Sequence, residues 1–230
     1  MADEIRNYCK KTDALHETLP VAGFATRIYL LNEVTLSPDE RNVTNEFLRI
    51  PLLTLLTTTT KHGFPEHLFA GILIWFSYRL GWQLFILRWP GIVFSVLTLA
   101  VTYKLTKKMA DTSSAIAATF LLTLSYYHIL FTHQIRGYSE MVFFALVSFY
   151  FLWQAMQTQR RQDWMFFALA AGLGIYNQFF AFTLLATQGI IVAVWLGIRA
   201  FQQPSNQPGH AARSQRKPPR KPAYPVLAGS

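Results

Sequence analysis

A succession of apolar runs of membrane-spanning length, each closed by basic residues, constrains this chain more than any single motif. A helix needs about 20 mostly apolar residues to cross the hydrocarbon core of a bilayer. Residues 84–103 form such a run, charged only at Arg88 and closed by Lys104, Lys107 and Lys108. Residues 115–131 follow Asp111 and the helix-opening Thr112-Ser113-Ser114, and give way to a polar turn from His133 to Tyr138. Residues 141–156 stop at Arg160-Arg161. Residues 164–195 are too long for one helix, and Asn177-Gln178 divides them into 164–176 and 179–198, closed by Arg199.

The expected fold class is therefore an all-α, multi-pass membrane protein with about five or six transmembrane helices. Composition agrees. The chain is 52% hydrophobic and only 14% charged, against about 25% charged in soluble domains, which excludes a soluble enzyme. The single cysteine, Cys9, excludes an intrachain disulfide and a Cys-x-x-Cys metal site. The net charge of +9 is spread in short clusters between apolar runs rather than gathered on one face, so nucleic acid is not an expected partner.

Basic residues near span ends mark the cytoplasmic side. Neighbouring clusters at Lys104/Lys107/Lys108, Arg160/Arg161 and Arg199 are separated by two expected spans each, so all three fall on one side. The turns at residues 134–140 and 176–178 then face the periplasm or a lumen, as does the region before residue 84. In that region residues 19–31 are apolar but short and contain Arg27, which leaves either a shortened first span or a surface helix. Residues 47–56 and 68–80 are also short and carry Arg49 and Arg79, as interfacial helices do. Three segments result: an N-terminal cytoplasmic segment at 1–21, a membrane-embedded domain at 22–200, and a tail at 201–230. From residue 202 the tail holds six Pro, five Lys or Arg and no acid, so it is expected to be disordered and to touch anionic lipid; an RNA-binding arm is the sharper alternative.

The polar residues on the outer side form a short list, Asp39, Glu40, Arg41, Glu46, His62, Glu66, His67, His133, Arg136, Tyr138, Glu140, Asn177 and Gln178, among which Asp39, Glu40, Glu66, His67, Arg136, Tyr138 and Glu140 are the site candidates. A carboxylate at a membrane surface is placed to act as a general base on an acceptor. Arg136 and His67 offer positive charge for a phosphate, Arg with its planar fork of donors. Each has a plainer reading. Asp39-Glu40 after Ser37-Pro38 is a common helix opening with acids at the positive end of the dipole, and Glu66-His67 after Pro65 is similar. Arg136 beside a span end is placed to snorkel to lipid phosphates. His128 and His133 read as interfacial hydrogen-bonding residues, and neither has a partner at metal-ligand spacing, so no metal site is expected.

The order of the motifs adds to this. Residues 22–40, AGFATRIYLLNEVTLSPDE, resemble the first-span end and Asp-Glu loop of membrane glycosyltransferases that use polyprenyl-phosphate sugars, the protein O-mannosyltransferase and aminoarabinose transferase superfamily with its GT-C fold. HGFPEHLFAGILIWFSYRLG (62–81) is similar to the next block of that superfamily, FILRWPGIVFSVLTLAVTYKLTKK (85–108) to its Arg-x-Pro span, SYYHILFTHQIRGY (125–138) to its Arg-Gly-Tyr turn, and residues 164–188 to the helix pair after it. The resemblance implies an enzyme that moves a sugar from a dolichyl- or undecaprenyl-phosphate donor to a hydroxyl of a lipid, protein or glycan acceptor, on the extracytoplasmic face of a plasma or inner membrane. It implies Asp39 as base with Glu40 beside it, Glu66, His67, Arg136 and Tyr138 near the donor head group, and Glu140 as a second acid. No organic cofactor follows, and a divalent cation is left open. The chain departs from the superfamily where Leu68-Phe69 replace prolines and Asn177-Gln178 replace a histidine. Members continue for several more spans, so a fragment or shortened form is expected, and a non-catalytic accessory protein is the second reading. A transporter is third, because the spans carry few buried charges or Gly/Pro breaks.

Overall fold

The computed structural model describes residues 18–29, 31, 34–48, 50–57, 67–81 and 83–202. The expected N-terminal segment up to residue 17, Glu66 and the tail from residue 203 lie outside them. Among the described residues the chain is helical, with no strand. In order these are α1 (residues 18–28), α2 (Pro38–Phe47), α3 (Leu52–Thr57), α4 (Leu68–Leu80), α5 (Leu84–Met109), α6 (Thr112–Thr123), α7 (Tyr126–Thr132), α8 (Tyr138–Thr158), α9 (Arg161–Asn177) and α10 (Ala181–Gln202). The chain divides into two compact units, residues 1–190 and 191–230. In the second, the Arg199 guanidinium lies 4.1 Å from the centre of the Trp195 ring.

Helix α5 organises the first unit, packing against α4, α6, α7 and α8. Phe69 of α4, Phe94 of α5 and Phe144 of α8 meet with ring centroids 5.1 to 5.9 Å apart, the edge-on or tilted geometry that aromatic pairs prefer. Leu48, Ala70, Ile74, Leu87 and Ile135 form a buried cluster towards the α5 N-terminus. At the other end of α5, Lys108 donates to Gln154 of α8 at 2.5 Å. Asp163 of α9 accepts from Gln154 and Thr158 at 2.9 and 2.5 Å, closing the α8–α9 connection. Asp111 caps α6 by accepting from the Ser114 N–H at 2.8 Å, and that bond holds its carboxyl below the usual range.

Helices α5, α8 and α10 are long and apolar enough to cross a membrane. The expected run at 115–131 is not one straight helix. It breaks at Leu124-Ser125 into α6 and α7, bent by 57°, because the Ser125 side chain accepts from the His128 N–H and starts a new helix. Counted as one span, that pair makes four. Helix α9 has 17 residues, so the described residues supply three or four of the expected five or six spans.

Helix α1 packs along α5 with Arg27 wholly buried. Its guanidinium donates to Ser95 Oγ at 2.6 Å, to the Gly23 carbonyl at 2.8 Å and to His128 Nδ1 at 2.6 Å. Thr132 donates to Ser95 at 2.8 Å, so one polar network ties α1, α5 and α7. Gly91 of α5 lets the C-terminal end of α7 approach closely: a Cβ there would meet the Thr132 carbonyl at 3.1 Å.

Candidate active site

Helix α2 opens with a capping box. The Glu40 N–H donates to Ser37 Oγ at 3.3 Å and the Ser37 N–H donates to Glu40 Oε2 at 2.7 Å, a reciprocal arrangement that satisfies two end donors. The helix-opening reading of Asp39-Glu40 therefore holds. It also separates the two acids, because neighbours on a helix point about 100° apart.

Glu40 turns inward. It is 2% exposed, and its Oε1 accepts from the Ile135 N–H at 2.7 Å. Arg88 of α5 lies 4.0 Å from the same oxygen. Arg88 also donates to the carbonyls of Val34, at 2.8 Å, and of Leu31. One buried ion pair thus ties the loop before α2, the start of α5 and the turn before α8. The sequence shows Arg88 only as a charge in an apolar run. Its position two residues before Pro90, at the start of that run, is the one signal of an anchoring role.

Asp39 turns outward, with its side chain 66% exposed. Its Oδ2 accepts from Arg136 Nη1 at 3.1 Å, across 97 positions of sequence. The Arg136 guanidinium lies 5.4 Å from the centre of the Tyr138 ring, within cation–π range. His67 packs edge-on to Tyr138 with centroids 5.2 Å apart. Asp39, Arg136, Tyr138 and His67 therefore form one continuous group. Burial, helped by the nearby Arg136 charge, pushes the His67 imidazole down to about 4, so His67 is neutral at physiological pH and Arg136 carries the positive charge.

Glu140 stands in the first turn of α8, where the helix dipole favours an acid, but it is 1% exposed and its Oε2 has no hydrogen-bond partner among the described residues. Glu66 lies outside the described residues. Asn177, at the end of α9, is fully buried. It accepts from the Ala70 N–H at 3.1 Å and donates to the Gly137 carbonyl at 2.6 Å. Among the described residues no group of three or more His, Cys, Asp or Glu is placed to hold a metal ion.

Residues 65–207 match the family model for dolichyl-phosphate-mannose-protein mannosyltransferases. Neither a curated protein nor a solved structure matches the chain. The family match includes His67, Arg136, Tyr138 and Glu140 and begins after Asp39 and Glu40, which join the group through Arg136 and the Ile135 N–H. Because the match takes in more than half of the 230 residues, the chain belongs to the dolichyl-phosphate-mannose-protein mannosyltransferase family.

Proposed function

We propose that this protein transfers a sugar from a polyprenyl-phosphate donor to a hydroxyl of a lipid, protein or glycan acceptor, at the extracytoplasmic face of a membrane. The observation that carries this reading is the pairing of Asp39 with Arg136 beside His67 and Tyr138. It joins a carboxylate that suits a general base to a cation that suits a phosphate, at the end of α5 opposite its lysines.

In the proposed reaction the acceptor oxygen attacks the anomeric carbon while Asp39 takes its proton. The bond from that carbon to the phosphate oxygen breaks, and the lipid phosphate leaves with the electron pair. Arg136 stabilises the charge that develops on it, the kind of preorganised electrostatic help that weighs most in catalysis. A single direct displacement inverts the anomeric carbon. Neutral His67 acts here by hydrogen bonding rather than by charge. Tyr138 walls the guanidinium, Glu40 holds the loop that carries Asp39, Glu140 is kept as a second acid behind the turn, and Glu66 as the neighbour of His67.

Purified protein in lipid, given a labelled polyprenyl-phosphate mannose, tests this. Asp39→Asn is expected to lower turnover by about 10²–10⁴-fold, the usual worth of a general base, and Arg136→Ala to lower it by about 10²-fold or more. Wild-type rates in both variants would overturn the assignment. Lipid-phosphate binding with no turnover, unchanged by Asp39→Asn, would mark a non-catalytic accessory protein instead.

A further inference from the structure

We infer that Asn177 is a positioning residue of the site, a surrogate cap for α4 that frees the His67 side chain and locks the Arg136-Gly137-Tyr138 turn beside it. The role rests on the glycosyl-transfer reading only for its catalytic consequence; the geometry stands by itself.

His67 occupies the N-cap position of α4, yet its side chain makes no cap hydrogen bond. An N-cap side chain ordinarily accepts from the N–H two or three residues on. Here the third, Ala70 N–H, donates instead to Asn177 Oδ1 at 3.1 Å. Relieved of that duty, the His67 ring packs on Tyr138, and its Nδ1 has no partner among the described residues.

The other half of the carboxamide fixes the second segment. Asn177 Nδ2 donates to the Gly137 carbonyl at 2.6 Å, between Arg136 and Tyr138. One partner is an N–H and the other a carbonyl, so only a group with both a donor and an acceptor serves both. Aspartate is nearly isosteric but lacks the donor. The same contact explains the glycine. Gly137 has φ −75°, a conformation open to any residue, so backbone freedom does not require it. Space does: a Cβ there would lie 2.6 Å from Asn177 Oδ1 and 2.8 Å from Nδ2.

The test uses the full chain in lipid, with Gln188→Ala as a control that removes a buried side-chain bond of similar kind, to Ser148 at 2.7 Å. Modification of His67 by diethylpyrocarbonate, read by mass spectrometry, is expected to be slow in the wild type and in Gln188→Ala, and at least tenfold faster in Asn177→Asp. Turnover with polyprenyl-phosphate mannose should fall at least tenfold in Asn177→Asp. Gly137→Ala should lower the unfolding temperature in the wild type and leave it unchanged in an Asn177→Ala background. An unchanged His67 modification rate in Asn177→Asp, or an equal Gly137→Ala penalty in both backgrounds, would overturn the inference. A wild type with no sugar transfer but the expected modification and unfolding results would overturn the proposed function and leave the positioning role in place.

Discussion

Asp39 and Glu40 are adjacent acids with opposite fates, and the difference is a matter of burial. Glu40 accepts two backbone N–H bonds and faces Arg88 in the interior, where removing one partner of a buried pair costs about 3–5 kcal/mol. Asp39 pairs with Arg136 at the surface, where such pairs contribute at most about 1 kcal/mol. Glu40→Ala is therefore expected to destabilise the protein by about 3 kcal/mol or more in denaturant unfolding, and Asp39→Ala by less than about 1; the reverse order would show that the two roles are exchanged. His67 adds a pH dependence. Its imidazole titrates at about 4 in the folded protein and near 6.5 when free, so the unfolded chain takes up the proton first. The stability that His67 contributes is full above about 6.5 and declines as pH falls towards 4, so His67→Gln should reduce the slope of unfolding curves recorded across that window. The sequence makes Asp39, His67 and Arg136 legible as candidates, through residue type and motif order. It does not show that Glu40 faces inward, because that depends on where the Ile135 N–H and Arg88 arrive from distant parts of the chain.

The spans are legible where a long apolar run meets a charged end. Helices α5, α8 and α10 follow from that pattern within a few residues, and Asn177-Gln178 correctly marks the end of α9. The bend between α6 and α7 is not legible in the same way. Residues 121–131, LLTLSYYHILF, stay apolar on both sides of the break, and Ser125 alone signals it. What fixes α7 is tertiary: His128 and Thr132 bond to Arg27 and Ser95, and Gly91 allows the following turn to lie close against α5. Gly91→Val is expected to push that turn outward and to cost about 1–3 kcal/mol, as overpacking does. Thermal unfolding in lipid checks this, and an unchanged midpoint would mean that the close approach bears no strain.

At the scale of the whole molecule, the lysine-bearing end of α5 and the Asp39–Arg136 end lie at opposite ends of a helix long enough to span, and the proposed sidedness rests on that separation. Membrane-impermeant maleimide should label Arg136→Cys, in a Cys9→Ser background, only from the extracytoplasmic side; labelling from the cytoplasm alone would invert the proposed sidedness. Arg27 bears on something separate, the making of the protein. Arg27 is charged and wholly buried, which is costly without partners, and the partners that satisfy it outside its own helix, Ser95 and His128, are synthesised 68 and 101 residues later. Helix α1 therefore cannot bury Arg27 in its packed position when it first leaves the ribosome. It must wait at the interface or in the insertion machinery until α5 and α7 follow. Nascent chains stalled before residue 126 should leave α1 open to protease, whereas chains stalled well beyond residue 158 should protect it, so the first of the described helices is among the last to settle.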